Sequence, residues 1–175
     1  RYFRNGILYY GKKFDSVYAN KVLNFLKYFY EIMKTYYIII RGPLGIGKTT
    51  IAIALSKELG AEYIAIDKIV DNPKLINIEK EQGYISQNNF NQTNEIAVNK
   101  IKDIITNQPV IFEGNFYWKS VIEDLTNRLK DYKGYIFTLK ASLNTCIERD
   151  KNRKNSHGPD AAEAVYKKAT SFDYG

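Results

Sequence analysis

Residues Tyr36 to Thr50 read YYIIIRGPLGIGKTT. An apolar run leads into three glycines and a proline, and the stretch closes on Lys48, Thr49 and Thr50. Gly42 to Thr49 satisfies the spacing G-x-x-x-x-G-K-[ST] between a predicted strand, Tyr36 to Arg41, and a predicted helix, Lys48 to Leu59, that Gly60 stops. The residue types have a common physical reason. Without Cβ atoms, consecutive backbone N–H groups turn into one concavity and an anion approaches closely. The following helix adds its unpaired N–H groups and the positive end of its dipole. The candidate phosphate-binding residues are therefore Gly42, Pro43, Leu44, Gly45, Ile46, Gly47, Lys48, Thr49 and Thr50. Lys48 offers a point charge to terminal phosphates, and the Thr49 hydroxyl suits Mg2+, a hard cation that takes oxygen ligands.

Outward from this stretch the chain alternates between two periodicities. Ile7 to Tyr10 reads as a strand and Ser16 to Met33 as a helix with an aromatic-rich packing stripe. Strands are expected at Glu62 to Asp67, Pro109 to Gly114 and Gly134 to Lys140. Helices are expected at Glu95 to Asn107 and Trp118 to Tyr132, after the cap Ser142, and at Asp160 to Ala169. The polar stretch SQNNFNQTN, Ser86 to Asn94, reads as a loop. The strands lack polar alternation, as strands buried on both faces do. Strands that alternate with helices predict an α/β fold with helices on both sides of a mostly parallel, five-stranded sheet in one domain over residues 1–175.

Composition narrows the class. The chain has 175 residues, 45% hydrophobic and 26% charged, with enough apolar material for a core. The apolar runs are too short to span a bilayer, and RYFRNG carries no apolar signal core. One cysteine, Cys146, excludes an internal disulfide and suits a reducing cytoplasm, and it falls on the apolar stripe of its helix. One histidine and one cysteine argue against a protein-built zinc site. The net charge of +7 suits either nucleic acid or a small anionic ligand.

Two carboxylates end predicted strands at the edge where open α/β sheets bind ligands. Asp67 can take a proton from an attacking hydroxyl, or merely cap a turn. Glu113 can hold Mg2+ through water, or face solvent. Asn115, Phe116, Tyr117 and Trp118 follow on the same rim, as acceptor lining or as packing. The cluster ERDKNRK places Arg149 and Arg153 four residues apart before the turn-rich KNSHGPD. Two guanidiniums on such a segment, residues 149–160, can close over phosphates as a lid, or sit at a solvated helix end.

On GPLGIGKT, IAID, VIFEGNF and CIERDKNR the chain resembles P-loop kinases of the small-molecule and nucleotide kinase group, from Tyr36 to about Asp173. Adenylate kinase-like, gluconate kinase-like and chloramphenicol phosphotransferase-like enzymes belong to that group. So do the kinase domains of polynucleotide kinases. The resemblance implies a P-loop NTPase fold in which Lys48 and Thr49 serve ATP and Mg2+. Asp67 then takes the base position, and Glu113 the Walker-B-like position where the group more often has Asp. Arg149 and Arg153 match its lid arginines. The group has a fifth strand after the lid, where this sequence reads FDYG, and MKTYYIIIRG resembles the usual start of a member. Residues 1–32 are accordingly expected to fill the fifth-strand place in a circularly permuted order.

The function expected from this is a cytoplasmic, ATP- and Mg2+-dependent kinase that transfers the γ-phosphate to a hydroxyl of a small molecule. Lys48, Asp67, Arg149 and Arg153 are its catalytic residues, and Thr49 and Glu113 serve the metal. The alternatives are a nucleotide or polynucleotide 5′-hydroxyl kinase and a P-loop ATPase switch without an acceptor. A nucleic-acid partner is possible but not favoured, since no nucleic-acid motif is present, and a membrane partner is not expected.

Overall fold

The computed structural model describes residues 35–174, together with Asn24. The predicted strand Ile7 to Tyr10 and helix Ser16 to Met33 lie outside the described residues. The question of a fifth strand lies there with them.

The apolar run of the opening stretch forms β1 (Tyr36–Arg41), and the chain passes through the glycine-rich turn into α1 (Lys48–Leu59). Then come β2 (Glu62–Ala65), a short helix α2 (Ile66–Val70), the hairpin β3 (Lys80–Glu81) and β4 (Tyr84–Ile85), and α3 (Gln87–Ile101). The chain continues through β5 (Val110–Gly114), α4 (Lys119–Arg128), β6 (Lys133–Thr138), α5 (Leu143–Lys151) and α6 (Pro159–Ala169). Among the described residues the main sheet has four strands in the order β2-β5-β1-β6, and every pair in it is parallel.

Sheet faces and helix stripes explain the layering. Ile38, Ile40 and Ile111 point to one face and pack on Ala52 of α1. Tyr37, Ile39 and Phe112 point to the other and join a larger core with Phe90, Ala97 and Ile101 of α3 and Val121, Ile122 and Leu125 of α4. The inner strand β5 is buried along its whole length, as its apolar run Val110 to Phe112 requires, and Glu113 is buried with it.

Four expectations are corrected. SQNNFNQTN is not a loop: Ser86 caps α3, and Gln87 onward is helical. Several of its polar atoms find partners inside the fold, whereas Asn91 Oδ1 and Asn94 Oδ1 are buried without one. Asn89 Oδ1 accepts from Glu79 N at 2.7 Å, and Asn89 Nδ2 donates to the Asn77 carbonyl at 3.0 Å. Asn94 Nδ2 donates to the Val121 carbonyl at 2.9 Å and to Asp124 at 3.0 Å. Polar side chains with such partners cost little to bury, so a stretch without an apolar stripe still becomes helix. Strand β2 stops at Ala65, so Asp67 lies in the first turn of α2. Helix α5 ends at Lys151, which puts Arg153 beyond it, past the C-cap Asn152. The helices expected to reach Asn107 and Tyr132 end at Ile101 and Arg128, and turns hold Ile105 and Leu129 in the core.

Candidate active site

A cavity of about 1020 Å3 opens at the carboxyl ends of the parallel strands. The turn Leu44–Gly47 and the start of α1 form one wall, and Asp67, Glu113, Asn115, Arg149 and Arg153 also line it. The predicted catalytic and metal residues thus share one space.

The glycines of the turn are set by geometry. Gly47 is the N-cap of α1 at φ 100°, a left-handed conformation, and no side chain caps the helix. The first N–H groups of a helix have no partner within it, so this end faces the cavity as donors. At Gly45, φ is 73° and a Cβ would lie 2.1 Å from the Cys146 carbonyl oxygen. The turn therefore rests directly on α5, and Arg149, one turn beyond Cys146, reaches the Ile46 carbonyl with Nη1 at 3.4 Å.

Lys48 is buried, and its ammonium donates to the Pro43 carbonyl at 3.0 Å and to Asn115 Oδ1 at 2.9 Å. Burial pulls its pKa below the usual lysine value, opposed by the nearby charges of Asp67 and Glu113. Asp67 Oδ1 accepts from the Asn115 amide at 3.3 Å. Burial pushes its carboxyl up to about 6, Lys48 pulls it back, and Glu113 raises it further. Asn115 thus touches both residues. The next residue, Phe116, has φ 42° and a fully buried ring. Strained backbone of this kind holds a turn in one shape.

Glu113 is buried, not solvent-facing, and its Oε2 accepts from the Tyr63 hydroxyl at 3.0 Å. Burial and the Glu113 charge both raise the Tyr63 pKa, so the phenol remains a donor. The Thr49 hydroxyl and the Glu113 carboxylate, both oxygen donors and few in number, fit Mg2+, which keeps water and substrate phosphate among its ligands.

Arg149 and Arg153 both line the cavity. The segment between α5 and α6 is pinned by the buried Asp150, which accepts from Ser156 Oγ and His157 N at 3.0 Å each and pairs with Arg153 at 3.5 Å. His157 lines the cavity and bears on the Asp71 carboxyl, which burial raises and the histidine lowers. On the far side the hairpin is held by aromatic residues. Tyr117 OH accepts from the Ile85 N–H at 3.2 Å, and Trp118 Nε1 donates to the Ile85 carbonyl at 2.9 Å. Tyr117 lines the cavity; Phe116 and Trp118 pack.

Sequence reasoning missed Tyr63, Asp71, Asp150 and the hairpin. Tyr63 had a signal: Ala65 is registered with Glu113, so Tyr63, two residues back, shares its face diagonally. Asp150 had none, because its partners belong to an irregular turn.

Comparison with known proteins agrees with this geometry. A deoxyguanosine kinase from Bacillus subtilis (strain 168) is 28% identical over 141 residues, which are 67% of this chain and 66% of that enzyme. The chain thus spans just under two thirds of that relative. Similar solved folds include a gluconokinase from Sinorhizobium meliloti 1021, at 13% identity and a TM-score of 0.57, covering 77% of this chain and 74% of that one. A sugar kinase from Janibacter sp. HTCC2649 has 14% identity and a TM-score of 0.59, covering 79% and 80%. A chain of the Pnkp1/Rnl/Hen1 RNA repair complex has 14% identity and a TM-score of 0.61, covering 81% of this chain and 47% of that one. No helix among the described residues is long and apolar enough to cross a membrane. The family model described as AAA domain matches residues 38–172, and with the glycine-rich turn, the parallel sheet and the kinase relatives in place, the chain belongs to that family within the P-loop kinase superfamily.

Proposed function

We propose that the protein transfers the γ-phosphate of ATP, with Mg2+, to a hydroxyl group of a small-molecule acceptor. One observation carries the reading: Asp67, with its carboxyl raised to about 6, shares a cavity with the ammonium of Lys48 and the open N-terminus of α1. A phosphate-gripping loop alone serves hydrolysis or switching equally well. A poised base across the same space serves an acceptor.

The roles follow from position. The amides of residues 44 to 50 hold the phosphate tail. Lys48 leaves Pro43 and Asn115 to meet the terminal phosphates, where an anion restores its charge. Thr49 and Glu113 would hold Mg2+, which supplies charge neutralisation at the β- and γ-phosphates. Asp67 takes the proton of the attacking hydroxyl. Arg149 and Arg153 face the transferred group from the lid side. The cavity has room beyond the phosphate loop for an acceptor, lined by Tyr84, Tyr117 and Phe90. Those rings, with the likeness to a deoxyguanosine kinase, favour a nucleoside among the hydroxyl compounds.

The test is a screen of nucleosides, sugars and other polyols with ATP and Mg2+, scored as ADP formed above the acceptor-free rate. One compound should raise turnover strongly, and Asp67→Asn should keep ATP binding while transfer falls by about 100-fold or more, the scale of a lost general base. ATP hydrolysis at full rate without any acceptor, or undiminished transfer by Asp67→Asn, overturns the reading.

A further inference from the structure

We propose that Tyr63 is a positioning residue for the metal, acting through Glu113. The inference rests on the kinase reading and adds a residue to it.

Two observations converge. The phenol donates to Glu113 Oε2 at 3.0 Å, and Glu113 is only 5% exposed. Tyr63 and Glu113 stand diagonally on one face of adjacent parallel strands, so their contact is built into the sheet. A carboxylate at the end of a strand rotates about two side-chain bonds. A donor fixed to one oxygen holds one rotamer and leaves the second oxygen as an acceptor. One tyrosine thus arranges the carboxylate before the metal arrives. Groups that orient ligands in this way are worth about 10- to 100-fold in metal affinity.

The experiment uses the full chain, ADP and Mn2+ as a paramagnetic probe of the Mg2+ site. ADP affinity is measured by titration calorimetry in EDTA and in saturating Mg2+. Mn2+ affinity in the presence of ADP is read from the free Mn2+ electron paramagnetic resonance signal. Tyr63→Phe, which keeps the ring, should leave ADP binding in EDTA unchanged and weaken Mn2+ by about 10-fold or more. In a Glu113→Gln background the same substitution should change Mn2+ affinity far less, because the partner through which it acts is altered.

Equal Mn2+ affinity in parent and Tyr63→Phe, in a parent whose ADP binding gains from metal, overturns this inference alone. An equal loss of ADP affinity in EDTA also overturns it, since the tyrosine would then support the loop and not the metal. A parent chain that binds ADP with no metal-dependent gain overturns it together with the kinase reading. No phosphoryl transfer is needed for any of these readings.

Discussion

A carboxyl group whose pKa is pushed up to about 6 changes charge within a pH unit or so of neutrality, and Asp67 therefore predicts two opposite pH dependences. Only the carboxylate accepts a proton, so transfer should fall about tenfold for each pH unit below that value. A kcat/KM profile that stays flat from pH 7.5 down to 5 would remove Asp67 from the chemistry. Stability runs the other way. The folded value lies above the ordinary 3.8, so folding favours the neutral acid. That contribution is fully present below about 3.8 and is lost as pH rises through about 6. Asp67→Asn removes the buried charge and still offers an oxygen to the Asn115 amide. Its melting temperature should exceed that of the parent at pH 8 and match it near pH 4, with loss of activity throughout, an exchange common at functional sites. Lys48 and Thr49 were legible because their spacing has a single geometric purpose. Asp67 was legible as a residue but misplaced onto a strand, because IAID carries an unbroken apolar pattern that the turn of α2 also satisfies.

The glycine-rich turn, α5 and the lid turn form one mechanical unit, in which Gly45 bears on Cys146 and Asp150, a turn later, pins the lid. Gly45→Ala would drive a methyl into a backbone carbonyl at a left-handed φ, and neither the turn nor the helix can yield cheaply. The variant should lose most ATP affinity in a titration while its helical circular dichroism persists. Asp150→Ala acts differently. It removes the acceptor for Ser156, His157 and Arg153 and should cost about 1–3 kcal/mol in a urea melt. Residues 152–158 should then become the preferred site of limited proteolysis, and the KM for ATP should rise with little change in kcat at saturation. An unaltered cleavage pattern would separate Asp150 from lid order. The periodic elements α1 and β1 were legible to within their boundaries because packing and local preference agree there. The first half of α3 was not, because Asn89 and Asn94 are core residues whose partners lie on Asn77, Glu79, Val121 and Asp124, beyond the helix itself. No local pattern records such partners.

Across the whole described region, α6 closes the larger core, to which it gives Val165 and Ala169. Parallel pairing followed from alternating periodicity, but this closure did not, because it depends on a buried charge that no local pattern places. Arg41, the last residue of β1, is fully buried. Its Nη2 donates to the Ala169 carbonyl at 2.6 Å, its Nη1 to Thr138 Oγ1 at 3.3 Å, and its guanidinium lies 4.2 Å from the Phe172 ring centre. Burial lowers its pKa, and only Asp173 among the named neighbours opposes this. The other side of α6 holds the hairpin, where Lys168 stands 3.7 Å from the Trp118 ring and Tyr84 OH donates to the Ala164 carbonyl at 3.3 Å. One helix therefore connects the strand that starts the phosphate loop to the hairpin over the acceptor end. Arg41→Ala leaves the Ala169 carbonyl without its donor and opens a void under Phe172, which should cost about 3 kcal/mol in a urea melt. Arg41→Met fills the void without a buried charge, so it should recover part of that loss. If α6 couples the two ends, both variants should also weaken the acceptor KM, although Arg41 does not line the cavity. Acceptor and ATP KM values that stay at the parent level in Arg41→Met would confine Arg41 to holding the fold.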